Sequence, residues 1–209
     1  MKQRVLQLNI NLDKYQTHCL HQKTKDKREE KTITSIYLAF TKLINNKDYN
    51  DITVQDILDE SKVGRSTFYS HFNTKDELLL KVSQDIFMHV FSPSLKEESS
   101  HDFSSDKEFD YKHLITHILY HLLDERDLIK GILSSHGNNI FLSEFKNNLY
   151  IFINTYFSYY PYQENSIPLD LKKEMIVEGI ITIVKYWVNN NYLEKPEVLT
   201  EYITTTLMK

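Results

Sequence analysis

The sequence contains few of the residues that interrupt helices. Four glycines and four prolines occur among its 209 residues, about a third of what average usage would supply. Sandwiches and barrels need many turn residues, and doubly wound folds need glycine in their phosphate loops. No two of the glycines have the spacing of a dinucleotide or Walker phosphate loop. The shortage therefore predicts an all-α fold of long helices joined by few connections.

Other features are also missing from the chain. The single cysteine, Cys19, cannot form an internal disulfide, and the N-terminus does not resemble a signal peptide. The most apolar stretch, from Met175 to Val188, is short and carries Glu178 and Lys185, so it does not predict a membrane span. The sequence therefore predicts a cytoplasmic protein that does not contact a membrane.

The N-terminal part divides into an arm and a helical region. Residues 1–22 show no sustained periodicity, and we interpret them as an arm or an added extension. From Lys23 onward, apolar residues recur at steps of three and four, which predicts an amphipathic helix. This apolar stripe consists of Ile33, Ile36, Tyr37, Phe40, Leu43 and Ile44. Thr53, followed by Asp56, is a variant of the capping box and predicts a second, short helix that ends near Ser61.

A break at residues 62–64 separates this second helix from a third. Gly64 is placed to serve as the N-cap of the third helix, which is predicted over residues 65–72. Three short helices with a break before the last describe a helix-turn-helix, in which the later helix lies in the DNA major groove. The pattern therefore predicts a DNA-binding domain over residues 23–91.

The remaining chain is predicted to form a second helical domain, residues 92–209. Before it, in the first domain, Thr74 and Glu77 repeat the capping-box spacing at the start of a fourth helix, which ends near Pro93. A polar stretch over residues 92–110 then forms the connection. Five further helices are predicted over residues 113–123, 128–133, 140–160, 169–191 and 196–208.

Charge differs between the two halves. Between Lys23 and Val90, eleven basic residues balance eleven acidic ones, whereas from Phe91 onward eleven basic residues face seventeen acidic ones. DNA binding usually requires a local cationic excess, so in the first half the distribution of charge must supply it. The acidic second half is expected to repel DNA.

Several short motifs resemble the TetR family of bacterial transcriptional regulators. They are Ile52-Thr53-Val54, Val63 in the turn, Thr67-Phe68-Tyr69-Ser70-His71-Phe72 and Lys75-Asp76-Glu77-Leu78, and the resemblance extends from about Lys31 to Leu80. Lys62 stands where the family commonly has glycine. The resemblance implies a homodimeric, sequence-specific DNA-binding regulator with a C-terminal ligand-binding and dimerisation domain. It further implies a repressor that a small-molecule effector releases from a palindromic double-stranded operator.

The resemblance also implies roles for individual residues. Arg65 and Ser66 begin the recognition helix and point at base edges, where an arginine fork fits guanine O6 and N7. Base or phosphate contacts are implied for Gln55, Thr67 and Ser70. Phosphate contacts are implied for Thr53, Tyr69, His71 and Lys75.

The C-terminal half carries candidates for effector binding and dimerisation. Its many aromatic residues could line a cavity for an apolar or aromatic effector, and Glu178 could meet a cationic one. We expect the effector to contact Tyr120, Phe141, Tyr156 and Glu178. The last two helices resemble the pair that builds the dimer interface in the family, with interface residues Ile180, Ile183, Val184, Tyr186 and Trp187.

Three other interpretations of the sequence are possible. His113, His117 and His121 stand one turn apart, as zinc ligands can, but no neighbouring Cys or Glu pattern completes a site, so neither a metal nor a cofactor is predicted. No nucleophile elbow and no catalytic carboxylate pair points to an enzyme. The alternative function is a TetR-like coactivator or protein-interaction module, similar to dihydroxyacetone kinase activators, which acts through a partner rather than directly on DNA.

Overall fold

The structure is a computed structural model that describes residues 27–91, 110–135, 137–162 and 167–208. Every regular element within these ranges is a helix, which confirms the predicted all-α fold. The N-terminal elements are α1 (Lys27–Ile44), a 3₁₀ helix (Tyr49–Asp51), α2 (Val54–Ser61), α3 (Arg65–Tyr69) and α4 (Lys75–Val90). The C-terminal elements are α5 (Tyr111–Asp124), α6 (Arg126–Leu133), α7 (Asn138–Tyr159), α8 (Leu169–Asn189) and α9 (Pro196–Thr206).

The predicted boundaries agree closely with the C-terminal elements and less well with α3. Each of the five C-terminal helices begins and ends within two residues of its predicted limits. Helix α3 was predicted to reach Phe72, but it ends at Tyr69. The chain then turns, and Phe72 packs in the core beyond the helix end. The predicted arm and most of the predicted connection lie outside the described residues.

The first three helices form one core around aromatic side chains. Helix α1 buries Ile36, Tyr37 and Phe40 along its predicted apolar stripe. Phe68 of α3 is completely buried, and its ring centroid lies 5.7 Å from that of Phe72. Helices as short as α2 and α3 are not stable alone in water, so burial against α1 and α4 holds them in place.

The predicted capping box at the start of α2 is confirmed. The Thr53 hydroxyl accepts the N–H of Asp56 at 3.1 Å, and the Asp56 carboxylate accepts the N–H of Thr53 at 2.7 Å. The bond from the Thr53 backbone N–H, reinforced by the Lys47 ammonium, lowers the pKa of Asp56 to about 2. The Asp56 carboxylate therefore stays ionised at neutral pH and fixes the start of the helix.

Lys75 ties the start of α4 to the 3₁₀ helix. Its ammonium donates to the carbonyl oxygens of Tyr49 at 2.6 Å, Ile52 at 2.8 Å and Asn50 at 3.2 Å, and it lies 4.4 Å from the centre of the Tyr49 ring. A lysine ammonium has three N–H donors, so all three are used inside the protein. The ammonium is a structural tie in this structure, and its implied contact with a DNA phosphate, which would replace one of these bonds, stays a prediction.

Tyr49 strengthens the same junction. Its hydroxyl donates to the carboxylate of Asp76 on α4. Burial, together with this hydrogen bond, raises the pKa of Tyr49 above its ordinary value. Its ring also packs edge-on against Phe40 at 6.4 Å between centroids. The 3₁₀ helix is therefore attached both to α1 and to the first turn of α4.

Helix α4 joins the N-terminal helices to the C-terminal ones. The ring of Phe87 on α4 stacks on Phe145 of α7 at 5.2 Å and packs against Phe141 at 4.9 Å. Gly137, the N-cap of α7, lies so close to the 3₁₀ helix that a Cβ added there would come within 3.0 Å of the Tyr49 ring. The N-terminal and C-terminal helices are therefore packed so closely at Gly137 that a side chain there would clash with its neighbours.

The remaining C-terminal helices complete this packing. Helices α8 and α9 close the fold beside α5 and α7. Among the residues that the structure describes, no helix combines the length and apolar character that crossing a bilayer requires.

Replacing Lys75 with methionine is expected to destabilise the fold. The K75M variant keeps the aliphatic stem but removes the donors of three carbonyl groups, which we expect to cost about 1–3 kcal/mol of unfolding free energy. Chemical denaturation monitored by circular dichroism measures the change. Lys81→Met on the same helix is the control, since Lys81 makes an exposed ion pair with Asp85 of little energetic weight. Equal stability of the two variants would contradict the structural role of Lys75.

Serine substitutions at two glycines should have opposite effects, although both glycines are helix N-caps. At Gly137, an added Cβ would lie 2.9 Å from Leu79, and overpacking of this kind costs about 1–3 kcal/mol. At Gly64, the nearest contact is Thr67 Oγ1 at 3.8 Å, and serine is a preferred N-cap. Thermal unfolding should therefore show a lower Tm for G137S and an unchanged or higher Tm for G64S. The close packing would be refuted by a G137S Tm equal to that of G64S.

Candidate nucleic-acid interface

The turn between α2 and α3 sets the direction of α3. Lys62 ends α2 in the left-handed conformation, with φ of 58°, which a non-glycine residue adopts at some energetic cost. Gly64 is extended and is the N-cap of α3, which confirms its predicted position. The left-handed residue is thus Lys62, at the place where the family commonly has glycine, and Gly64 adopts a conformation open to any residue.

Helix α3 exposes a polar face because the opposite side of the helix is anchored in the core by Phe68. Phe68 is 0% exposed, whereas Tyr69 is 46% exposed and rests edge-on against the Phe68 ring at 5.5 Å. The other predicted contact residues of this helix and its C-cap are exposed: Arg65, Ser66, Thr67 and Ser70. A recognition helix needs this arrangement, with an apolar anchor beneath and polar side chains directed outward.

Arg65 is hydrogen-bonded to α2 across the turn. Its Nη2 donates to Gln55 Oε1 at 2.8 Å, and Gln55 Nε2 donates to Asp59 Oδ1 at 2.8 Å. These side chains line a surface groove of about 390 Å³ together with Leu58, Lys62, Val63 and Gly64. The structure therefore brings together Gln55 and Arg65, two of the predicted contact residues.

Two predicted phosphate contacts receive other partners in the structure. The N–H and the hydroxyl of Thr53 both donate to Asp56 Oδ2, at 2.7 Å each. These are the two donors that Thr53 has, so in this structure they cap the helix, and the expected phosphate contact through them stays a prediction. His71 is half-buried, and its Nδ1 lies 3.9 Å from Glu29 Oε1 on α1, so its ring lies between α1 and the residues that follow α3.

Two residues of the groove were missed by reasoning from the sequence. Lys62 is an exposed cation in the turn immediately before α3, and Asp59 is an exposed anion one turn after Gln55 on α2. A cation beside the start of a predicted recognition helix was a usable signal for Lys62. The sequence carried no comparable signal for Asp59, whose role depends on the side-chain hydrogen bond to Gln55.

The four effector candidates lie in different clusters of described contacts. The Tyr120 hydroxyl donates to Glu197 on α9, and this hydrogen bond raises the pKa of Tyr120. Phe141 packs against Phe87 of α4. Tyr156 and Glu178 have partners elsewhere: Tyr156 contacts the rings of Tyr111 and Tyr160, and Glu178 accepts from Lys146 at 2.6 Å. The described contacts therefore do not gather the four into one site.

Three of the five expected interface residues are buried within the protomer. Ile180, Val184 and Trp187 belong to the core of the protomer, where Trp187 is 0% exposed and its indole donates to the Glu194 carbonyl at 2.8 Å. Their side chains therefore have no surface for a second copy. Ile183 is half-buried, and Tyr186 is exposed.

Two of the three histidines of α5 form a local pair. His117 and His121 are buried, and their Nε2 atoms lie 3.0 Å apart, so one ring nitrogen donates to the other. Within the described ranges, no group of three or more His, Cys, Asp or Glu residues is arranged to hold a metal ion.

Comparison with known proteins identifies both halves of the chain. Residues 36–82 match the family model of bacterial regulatory proteins of the tetR family, and residues 110–209 match that of the transcriptional regulator C-terminal region. The solved structure of a TetR transcriptional regulator from Streptococcus agalactiae 2603V is 30% identical, with a TM-score of 0.65. This similarity covers 87% of the present chain and 96% of the other.

Curated relatives match mainly over shorter segments. An uncharacterized HTH-type transcriptional regulator of Bacillus subtilis, YxbF, is 32% identical over 84 residues, which make up 40% of this chain and 22% of the relative. The HTH-type dhaKLM operon transcriptional activator DhaS of Lactococcus lactis is 33% identical over 54 residues, which make up 26% of this chain and 29% of the relative. The chain thus covers only about a quarter of the length of these two relatives.

The family models and the matched structure describe DNA-binding regulators rather than enzymes, and the chain belongs to the TetR family of bacterial transcriptional regulators.

Proposed function

We propose that the protein is a homodimeric repressor that binds a palindromic DNA operator and is released by a small-molecule effector. The observation that carries the proposal is the outward display of polar side chains on α3 above the buried ring of Phe68. In this proposal α3 enters the major groove, with Arg65, Ser66 and Thr67 at base edges. Tyr69, Ser70 and His71 contact phosphate oxygens, and Lys62 adds a cation that sequence reasoning missed.

Local charge rather than total charge must attract the DNA. Residues 23–90 have no net charge, and Lys42 and Lys47 among them already pair with Glu60 and Asp56, at 2.6 and 2.9 Å. Arg65 and Lys62, in contrast, line the exposed groove beside α3. Because the phosphate contacts proposed above include a single lysine, Lys62, we expect a modest salt dependence and a large share of the affinity from base contacts.

Arg65→Ala should weaken binding to the preferred operator by about 1–3 kcal/mol and relax the preference for one base. The operator is first selected from random duplexes with the wild-type protein, and affinities are then measured by fluorescence anisotropy at several salt concentrations. Arg126→Ala, the same change on α6, is the control and should leave both quantities unchanged. The proposal fails if the wild type shows no salt-sensitive sequence preference, or if R65A retains the full preference.

Dimerisation is proposed through an exposed apolar face of α8 and α9. Leu171, Met175 and Tyr186 lie on one side of α8 at helical spacing, and Val198 and Tyr202 lie one turn apart on α9, all exposed. A twofold dimer presents two recognition helices at the spacing of DNA grooves, so that each copy adds its contacts to the same site. An exposed apolar face of this kind needs a partner. A second copy of the chain would cover this face and would also supply the second recognition helix.

Met175→Glu should convert the protein to a folded monomer and lower its affinity for the operator, because a charge replaces an apolar contact of the interface. Sedimentation velocity at micromolar concentration measures the association state. Met88→Glu on α4 is a matched control, since Met88 is 56% exposed and Met175 is 49% exposed. A monomeric wild type, or equal behaviour of the two variants, would refute this interface.

Release by an effector is proposed to act through α4. Phe87 packs between Phe141 and Phe145 of α7, so a shift of α7 has a direct path to the helix that follows α3. A ligand that favours one arrangement of this contact would change the separation of the two recognition helices in a dimer. Tyr120, Phe141, Tyr156 and Glu178 stay proposed effector contacts, and they would have to exchange their present partners to form one pocket.

A second candidate function is activation through a protein partner. The match to a relative named as an operon transcriptional activator is compatible with this candidate. In that case the same fold would act without its own DNA contacts, and the purified chain would show no mobility shift with any duplex.

A further inference from the structure

We propose that Asp59 is a positioning residue that sets the base preference of Arg65 through Gln55. The inference rests on the proposed function, since it assigns a specificity determinant to the DNA-binding site. Asp59 and Gln55 lie one turn apart on α2, and Arg65 is the first residue of α3. The hydrogen-bonded chain of these three side chains therefore crosses the turn of the helix-turn-helix.

The chain has one consistent assignment of donors and acceptors. A carboxylate only accepts hydrogen bonds and a guanidinium only donates them. The NH₂ group of Gln55 must therefore face Asp59, which leaves its oxygen for Arg65, as observed at 2.8 Å for both bonds. Without Asp59, the amide could rotate and present its NH₂ group to the guanidinium, which cannot accept a hydrogen bond.

The order of these bonds determines which donors of Arg65 remain for DNA. A guanidinium has five N–H groups in a fixed plane, and the hydrogen bond from Nη2 to Gln55 restricts the orientation of that plane. A fixed fork loses less conformational freedom when it binds guanine O6 and N7 together. An arginine that rotates freely can instead turn to a phosphate, which binds all sequences alike.

The negative charge of Asp59 has a second effect, which can be separated from the effect of its hydrogen bond. Asp59 lines the same exposed groove as Arg65 and Lys62. An anion on a surface that approaches DNA opposes phosphate binding for every sequence. Asp59 therefore lowers affinity for all duplexes through its charge, while it raises discrimination through its hydrogen bond.

Two substitutions at Asp59 separate these effects. Asp59→Ala removes both charge and hydrogen bond, so affinity for non-operator DNA should rise while the preference at the base read by Arg65 falls roughly two- to fivefold, as expected for one exposed hydrogen bond. Asp59→Asn removes the charge but keeps an acceptor for Gln55, so non-operator affinity should rise while the preference is retained. The base in question is the one whose preference is lost in R65A.

A double-mutant cycle tests whether Asp59 acts through Arg65. In the R65A background, adding D59A should leave the base preference unchanged. Glu60→Ala is the control, because Glu60 is the neighbouring carboxylate on α2 but pairs with Lys42 on α1 at 2.6 Å. It should leave the base preference of the wild type intact, and circular dichroism checks that each variant is folded.

The outcomes distinguish this inference from the proposed function. If the wild type shows no sequence preference, the proposed function itself fails. If the wild type discriminates and R65A does not, the inference is overturned when D59A keeps the wild-type preference. It is equally overturned when D59N loses the preference as D59A does.

Discussion

The burial of Phe68 is the contact on which the proposed DNA-binding surface depends. Helix α3 has only five residues, which is too short to be stable in water by itself. Its sole completely buried side chain is Phe68, which packs against Phe72 and holds the helix from below. The exposed residues on either side of Phe68 are directed outward by this anchor, so the chemistry of the surface follows from the packing of one ring.

The same helical unit is connected to the C-terminal half by tight packing rather than by charge. Lys75 and Tyr49 fix the first turn of α4 to the 3₁₀ helix, and Gly137 of the C-terminal half approaches that junction without room for a side chain. Phe87 continues the contact along α4 into α7. Closely packed interiors transmit displacement instead of absorbing it, which is the physical requirement for a signal that starts in one half and acts in the other.

Much of the fold could be predicted from local sequence rules, whereas most of the side-chain roles could not. The capping box of Thr53 and the apolar stripe of α1 depend on neighbours in sequence and were confirmed. The three carbonyl partners of Lys75 could not be predicted from local rules because they lie more than twenty residues earlier in the chain. Helix α8 is apolar on two faces, and periodicity alone does not tell which face the protomer core buries, so Trp187 was assigned to the surface.

The electrostatics of α2 suggest how a neutral domain can still be selective. Its side chains include the half-buried carboxylate of Asp56, the exposed carboxylate of Asp59 and the exposed amide of Gln55. Asp56 is partly neutralised by Lys47 at 2.9 Å, while Asp59 is held beside the residue that we propose reads the bases. Selectivity is a difference between affinities, and repulsion of wrong partners contributes to it as much as attraction of the right one. An anion beside Arg65 weakens every phosphate contact, and only a duplex that offers the correct base to the oriented fork compensates for that loss.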